Sequence, residues 1–251
     1  MRLKTLLPAL LGAQLLLAAP PARATDEIQV YTGEVAAPGE WSLLQHLNYG
    51  FTRRKGTDRS MINAFRTVNG TPELAYGVTD WYETGLYLPF AARDDRFFPG
   101  GAKFRNLFVS PDAPNRTFFY GLNTEISWAP QRFSRSRWNV EFRPILGLNL
   151  GRWQIVSNPI VGIGLGGKQP DAFLPANRIF YTVREDLAVG VETYSDMGSF
   201  GHFGKFNQQA HQVFAAADFQ LFGLDVNFGV GRGVTPASDR WMVKTIFGFS
   251  F

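Results

Sequence analysis

From Trp41 onward, apolar and polar side chains alternate residue by residue in one segment after another. The pattern is clearest over residues 239–251. There Trp241, Val243, Thr245, Phe247, Phe249 and Phe251 share one parity, and Arg240, Met242, Lys244, Ile246, Gly248 and Ser250 the other. Strand side chains point alternately to opposite faces, so one face is apolar and aromatic and the other mixed and partly charged. Twelve such segments follow, at approximately 41–52, 68–79, 81–90, 102–109, 117–128, 138–148, 152–164, 173–183, 187–195, 210–221, 224–232 and 240–251. Most approach the ~9–11 residues a tilted strand needs to span a bilayer. The fourth is short, and the seventh carries Pro159, which is disfavoured in a paired strand.

The connections alternate in length. Tight ones fall at Thr79 and Asp80, at residues 149–151, at residues 184–186, and at Phe222 and Gly223. The intervening ones are longer and rich in Gly, Pro and charge; only residues 110–116 are long for their side. Short turns on one side, long loops on the other and an even strand count predict an all-β fold, a transmembrane antiparallel up-and-down β-barrel of about 12 strands, with 10 or 14 as alternatives. Trp41, Trp128, Trp138, Trp153, Tyr181 and Trp241 fall near segment ends, where amphipathic rings sit at membrane interfaces. A soluble β-protein would need something to cover the aromatic face, and the chain has no helical segment or second sheet to spare.

The N-terminus adds a targeting expectation. Arg2 and Lys4 precede an apolar stretch running to about Ala19, then Pro20, Pro21 and Ala22-Arg23-Ala24, which reads as a cleaved signal peptide over 1–24. Residues 25–40 are expected as a short periplasmic lead and 41–251 as the barrel, with both termini periplasmic in a Gram-negative cell outer membrane. With no cysteine, the chain holds no disulfide, thiolate metal site or lipid-modified cysteine. The mean hydropathy of −0.10 suits strands with only every second residue facing lipid. Without Arg2, Lys4 and Arg23, the formal charge of +4 falls to 22 basic against 21 acidic residues, which argues against a nucleic-acid partner.

Residues 73–80 (Glu-Leu-Ala-Tyr-Gly-Val-Thr-Asp), 143–147 (Arg-Pro-Ile-Leu-Gly), 158–162 (Asn-Pro-Ile-Val-Gly) and 230–235 (Val-Gly-Arg-Gly-Val-Thr) carry a resemblance. They resemble a family of proteobacterial outer-membrane β-barrels named for a role in a phenol-degradation (meta-pathway) route. The likeness covers most of the chain after the signal segment. It implies a barrel of roughly twelve strands and passive uptake, and it supplies no catalytic residues. Residues 244–251, with Phe247, Phe249 and Phe251, also look like the assembly signal read by the barrel-insertion machinery, with Ile246 where a glycine is usual.

Parity assigns an inward face that includes His46, Asn48, Glu73, Glu83, Lys103, Arg105, Asn123, Glu125, Glu141, Arg143, Arg178, Glu192, Asp196, Asp218, Asp225, Asn227, Arg240 and Lys244. Eight acids face six bases. That mixture fits either a narrow polar channel for small solutes, aromatic or anionic, or a closed barrel whose charges pair across the lumen. Tyr87, Tyr194 and Phe214 share that face, as a stacking surface or as space filling. The long loops carry Arg53, Arg54, Lys55, Arg59, Arg93, Arg96, Arg132, Arg135, Arg137, Lys168 and Lys205 against four acids, a rim suited to lipopolysaccharide phosphates.

No cofactor is expected. Three scattered histidines make a metal site an unattractive reading. The glycines at 162, 164, 166 and 167 suit strand bends better than a phosphate loop. One enzymatic alternative stands beside the non-enzyme reading. Ser195 and His211 end and begin consecutive segments with outward parity, as a lipid hydrolase would require, with Asn207 or Gln209 as the third member. His46 shares the inward face with Ser42 and has no identified acid partner. The sequence assigns no oligomeric state.

Overall fold

A computed structural model describes residues 28–51, 61–166 and 171–251. The expected signal segment 1–24 and the rim bases Arg53, Arg54, Lys55, Arg59 and Lys168 lie outside the described residues.

In chain order the strands are β1 (Trp41–Gly50), β2 (Val68–Thr79), β3 (Tyr82–Tyr87), β4 (Phe90–Arg93), β5 (Arg96–Pro99), β6 (Ala102–Val109), β7 (Phe118–Trp128), β8 (Trp138–Leu150) and β9 (Trp153–Asn158). They continue with β10 (Val161–Leu165), β11 (Ala172–Phe173), β12 (Ala176–Arg184), β13 (Leu187–Asp196), β14 (Gly198–Ser199), β15 (His202–Phe203), β16 (Ala210–Leu221), β17 (Leu224–Gly233) and β18 (Trp241–Ser250). Antiparallel pairing runs β1–β18–β17–β16–β13–β12–β9–β8–β7–β6–β3–β2 and closes from β2 back to β1, giving a barrel of twelve staves. Closure leaves no open sheet edge, which a lipid environment demands.

Two of the remaining short strands, β4 and β10, are staves restarted after a proline, with β5 and β11 pairing onto them; β14 and β15 form a separate hairpin. Pro89 interrupts the third stave, which resumes as β4 against β2. Pro159 interrupts the seventh, which resumes as β10 against β8. In both places the missing N–H removes one rung and the chain bends. At the tight turn between β16 and β17, Phe222 and Gly223 both have positive φ (53° and 79°), the geometry that matches the twist of a two-residue hairpin.

The outer surface is apolar. Leu43, Leu74, Phe104, Ile126, Phe142, Ile179, Val191 and Phe228 are all exposed there. Trp128 pairs with Trp138 at the loop end, while Trp153 packs on Tyr181 (4.9 Å) and Trp41 on Tyr76 (4.8 Å) at the turn end. Two aromatic rings of residues flanking an apolar band are the signature of a membrane-spanning barrel. Among the described residues no helix is long and apolar enough to cross a membrane.

The lead departs from expectation. Instead of lying outside the barrel, the segment preceding β1 runs back through the interior. Ile28, Val30, Tyr31 and Ala36 are buried. Val30 and Tyr31 join Leu107, Phe119, Ile145 and Val156 in the main apolar cluster, and Ile28 packs with Phe214 and Met242. Two glycines admit it. A Cβ on Gly77 of β2 would fall 2.2 Å from the carbonyl oxygen of Ala37, and Gly33 has φ +83° with the Phe119 ring 2.8 Å from its would-be Cβ. At the loop end Ile62 folds onto Ala91 and Phe133 and donates its N–H to Arg132 O (2.7 Å).

Candidate functional site: the occupied lumen and an outward Ser–His pair

Backbone groups inside a barrel wall must find partners, and the lead pairs with a strand backbone at its end, where Gly39 donates to Gly77 O (2.8 Å) and Glu40 O accepts from Gly77 N (3.0 Å). Farther in, inward side chains supply them. Glu83 Oε2 accepts Ala36 N (2.5 Å), and Asn158 accepts from Tyr31 N (2.7 Å) while donating to Tyr31 O (3.2 Å). Arg143 donates to Gln29 O (3.3 Å) and Lys244 to Ile28 O (3.1 Å). The guanidinium of Arg143 also lies 4.6 Å from the Tyr31 ring centroid, and the Tyr31 and Tyr87 hydroxyls are hydrogen-bonded.

The inward charges form three groups. Around the first, Arg105 bonds Glu73 (2.9 Å from Nε) and bridges to Glu83, and His46 Nε2 sits 3.0 Å from Glu73 Oε2. His46 therefore does have an acid neighbour, across β1 and β2, which parity alone could not pick out. In the second, Arg143 pairs with Glu141 (2.8 Å) and Lys103 with Glu125 (3.8 Å), whose other oxygen accepts from Asn123 (2.8 Å). In the third, Lys244 bridges to Glu192 and bonds Tyr194 (3.0 Å), and Arg178 reaches Asp218 (2.5 Å). Glu192 and Lys244 side chains are each only 1% exposed, so removal of one would strand the other. Asp225 lines the cavity beside this group.

That cavity, about 430 Å3, spreads beside the third group and reaches the turn between β12 and β13. Its acids are Glu34, Glu185, Asp186, Glu192, Asp218 and Asp225, against Arg178, Arg184 and Lys244. Glu34 projects into it from the lead. Partial withdrawal from bulk water inside the barrel raises its carboxyl above the usual carboxylate range, although the side chain stays open to the cavity; Asp218 and Asp225 push the same way, against Arg178. Glu34, Gln29, Tyr31 and Asn158 are residues the sequence reading missed. The available signal was the density of apolar residues (Ile28, Val30, Tyr31, Val35) in a segment expected to be solvated.

At the rim, Arg96, Arg132, Arg135 and Arg137 are exposed; Arg93 lies 3.8 Å from Asp94, and Arg132 packs over Phe98 (5.6 Å). Phe249 and Phe251 are exposed on the outer face, Phe247 shares that face, and Ile246 points inward.

On the outer face the structure brings Ser195 and His211 together. They are direct cross-strand partners on β13 and β16, with His211 Nδ1 2.8 Å from Ser195 Oγ. Of the two third members weighed, Gln209 takes the place: its Oε1 is 2.9 Å from His211 Nε2. Asp196 turns away, accepting from Gly198 N (3.0 Å).

No family model matches the chain, and no curated protein does. Solved structures are similar in fold. An outer membrane channel from Pseudomonas putida F1 superposes with a TM-score of 0.63 at 13% identity, over 90% of this chain and all of that one. The translocator domain of the autotransporter NalP from Neisseria meningitidis gives 0.44 at 9% identity, over 87% and 90%. LpxR from Salmonella typhimurium gives 0.43 at 10% identity, over 83% and 99%. The chain has the fold of an outer-membrane β-barrel of twelve strands.

Proposed function

We propose that the protein is an outer-membrane barrel that passes small polar solutes passively, with both termini periplasmic and the lead setting the width of the path. The observation that carries this reading is the charged cavity of about 430 Å3 inside the wall, bounded on one side by a segment held by hydrogen bonds and packing. The path runs along Glu83, Lys103, Arg105, Glu125, Glu141, Arg143, Arg178, Glu192, Asp218, Asp225 and Lys244. The solved Pseudomonas putida structure that shares this fold is a channel. Six acids against three bases in the cavity favour cations at its turn end, opposite in sign to the basic rim formed by Arg93, Arg96, Arg132, Arg135 and Arg137. That rim faces lipopolysaccharide phosphate, and the phenylalanines of β18 are read by the assembly machinery.

The second reading, a closed structural barrel, draws on the same buried pairs: charges that satisfy one another stiffen a lumen as readily as they line a path. Single-channel recording of the refolded protein in a planar bilayer under a salt gradient separates the two. Steady openings with a cation-favouring reversal potential are the expected result. Silence from a barrel shown to be folded by its heat-modifiable gel mobility would replace this reading with the closed one.

A further inference from the structure

A polar cluster interrupts the lipid-facing surface near the loop end, and its hydrogen bonds all run in one direction. Gln209 donates from Nε2 to Gly204 O (2.7 Å), which fixes its amide with Oε1 toward the histidine. An amide oxygen only accepts, so the bond between Gln209 Oε1 and His211 Nε2 requires the proton on Nε2. His211 Nδ1 is then bare and faces the Ser195 hydroxyl at 2.8 Å, so Ser195 donates to it. This is the polarity a general base needs beside a nucleophile.

The surroundings hold this arrangement rigidly. Phe206 stacks on the His211 ring (5.0 Å, 20°). Thr235 Oγ1 donates to Gln209 O (2.7 Å), and the backbone N–H of His211 donates to Ser238 Oγ (2.8 Å). Along the same face, Ser157 donates to Asn177 (2.7 Å) and Asn177 to Thr193 (3.1 Å), two residues from Ser195. Val213 and Val191, 39% and 46% exposed, border the cluster with apolar surface. An ionisable side chain facing lipid is costly, which marks His211 within this strip as a functional-site candidate.

Two further features say what would bind. Trp241, paired with Arg232, which in turn pairs with Val213, puts the cluster near the aromatic boundary, where a lipid's acyl ester meets its headgroup. Arg232 is exposed on this face, diagonal to His211 across β16 and β17, with its guanidinium over the Trp241 ring (5.4 Å). A guanidinium in that place suits a headgroup phosphate.

We propose that Ser195, His211 and Gln209 form a hydrolytic site for the acyl esters of phosphate-bearing outer-leaflet lipids. Ser195 Oγ bonds to the ester carbonyl carbon as its proton passes to His211 Nδ1. The carbon–oxygen bond to the alcohol then breaks, and the departing oxygen takes that proton. Water attacks the acyl-serine, giving a proton to Nδ1. Ser195 departs with that proton, releasing the fatty acid. Gln209 is a positioning residue that holds the tautomer. The backbone N–H groups of Ser195 and Met197 are committed to Pro175 O and Phe173 O (both 3.0 Å). Each missing backbone oxyanion donor costs roughly 100- to 1000-fold in rate, so slow turnover is expected.

The site lies on the opposite side of the wall from the lumen and does not depend on conduction. The test uses the refolded protein with two substrates: vesicles of phosphatidylethanolamine and phosphatidylglycerol, and purified lipopolysaccharide. Fatty-acid release is followed by mass spectrometry, with a fluorophosphonate probe read at Ser195. Release from the vesicles identifies phospholipid as the source, and release from lipopolysaccharide identifies lipid A esters. Ser195→Ala and His211→Phe should abolish release and labelling with the barrel still heat-modifiable. Gln209→Leu should lower kcat about tenfold or more with KM little changed, and Gln209→Asn should recover part of it. No release from either lipid above the Ser195→Ala background, from folded protein, overturns the proposal.

Discussion

If the lead sets the width of the lumen, loosening it at a single atom should change conduction. Gly33 is the place to do so. Its φ of +83° is a conformation that costs an L-residue roughly 1–2 kcal/mol. A Cβ there would also fall 2.8 Å from two atoms of the Phe119 ring and 3.3 Å from Ala113 Cβ. The ring has little room to retreat, because it already covers Gly147, where a Cβ would sit 1.9 Å from its tip. Overpacking of that kind adds about 1–3 kcal/mol. Gly39 supplies the control. It has φ +88° and nothing within 4 Å of its would-be Cβ, so alanine there carries the backbone strain without the overlap. The difference between the two alanine variants, about 1–3 kcal/mol, corresponds to roughly a 5- to 150-fold shift away from the seated lead. Planar-bilayer recordings of Gly33→Ala should show larger or longer openings than those of Gly39→Ala, which backbone strain alone moves a smaller step from the wild type. Identical behaviour of the two variants would refute the lead as the element that sets the path.

Three other perturbations follow from the same packing. Lys244→Met strands Glu192 in a site where both side chains are 1% exposed, and should cost roughly 3–5 kcal/mol in urea unfolding followed by tryptophan fluorescence. The double variant with Glu192→Leu should regain most of that loss, and an equally unstable double variant would show the pair is not the cause. Because partial withdrawal from water inside the barrel, beside Asp218 and Asp225, raises the carboxyl of Glu34, the neutral form helps seat the lead by an amount that cavity water keeps small. That contribution is complete below the carboxyl's ordinary value of 4.5 and is lost as pH rises through the raised folded value. Open probability should therefore climb with pH in that window and flatten in Glu34→Gln; an unchanged pH profile in the variant would remove Glu34 from the account. Phe251 closes the barrel by exchanging backbone bonds with Trp41 (2.8 and 2.9 Å), and with Phe249 it forms the aromatic end of β18. Replacing both by alanine should reduce the heat-modifiable barrel recovered from outer membranes, and undiminished recovery would show that assembly does not read these rings.

Much of the architecture was legible because strand side chains repeat every two residues. Parity alone placed Trp241 and Phe249 outside and Arg105, Glu192 and Lys244 inside, and the number of alternating segments matched the twelve staves. The break at Pro159 also follows from a local rule, the missing N–H; the same rule holds at Pro89, where the expected segment 81–90 runs through the break. Register is less local. That Ser195 meets His211 was within reach because both flank one hairpin with equal parity. That Gln209 rather than Asn207 completes the array depends on the turn over Phe206–Gln208, which sets the direction of each amide.

What the sequence could not determine is anything that depends on position around the barrel. Parity says that a residue points inward but not what stands across the lumen, since that depends on closure and on the stagger of all twelve strands together. The bond between Lys244 on β18 and Glu192 on β13, three staves apart, appears only when the sheet curls into a barrel, and the stagger of β2, β3 and β6 decides that Arg105 reaches both Glu73 and Glu83. The lead is the extreme case. It has no alternation to read, and its backbone is satisfied by side chains of β3, β8, β9 and β18, which no short stretch of sequence brings together. Tertiary structure alone decided that this segment fills the barrel, because only a closed wall creates the interior in which its buried groups find their partners.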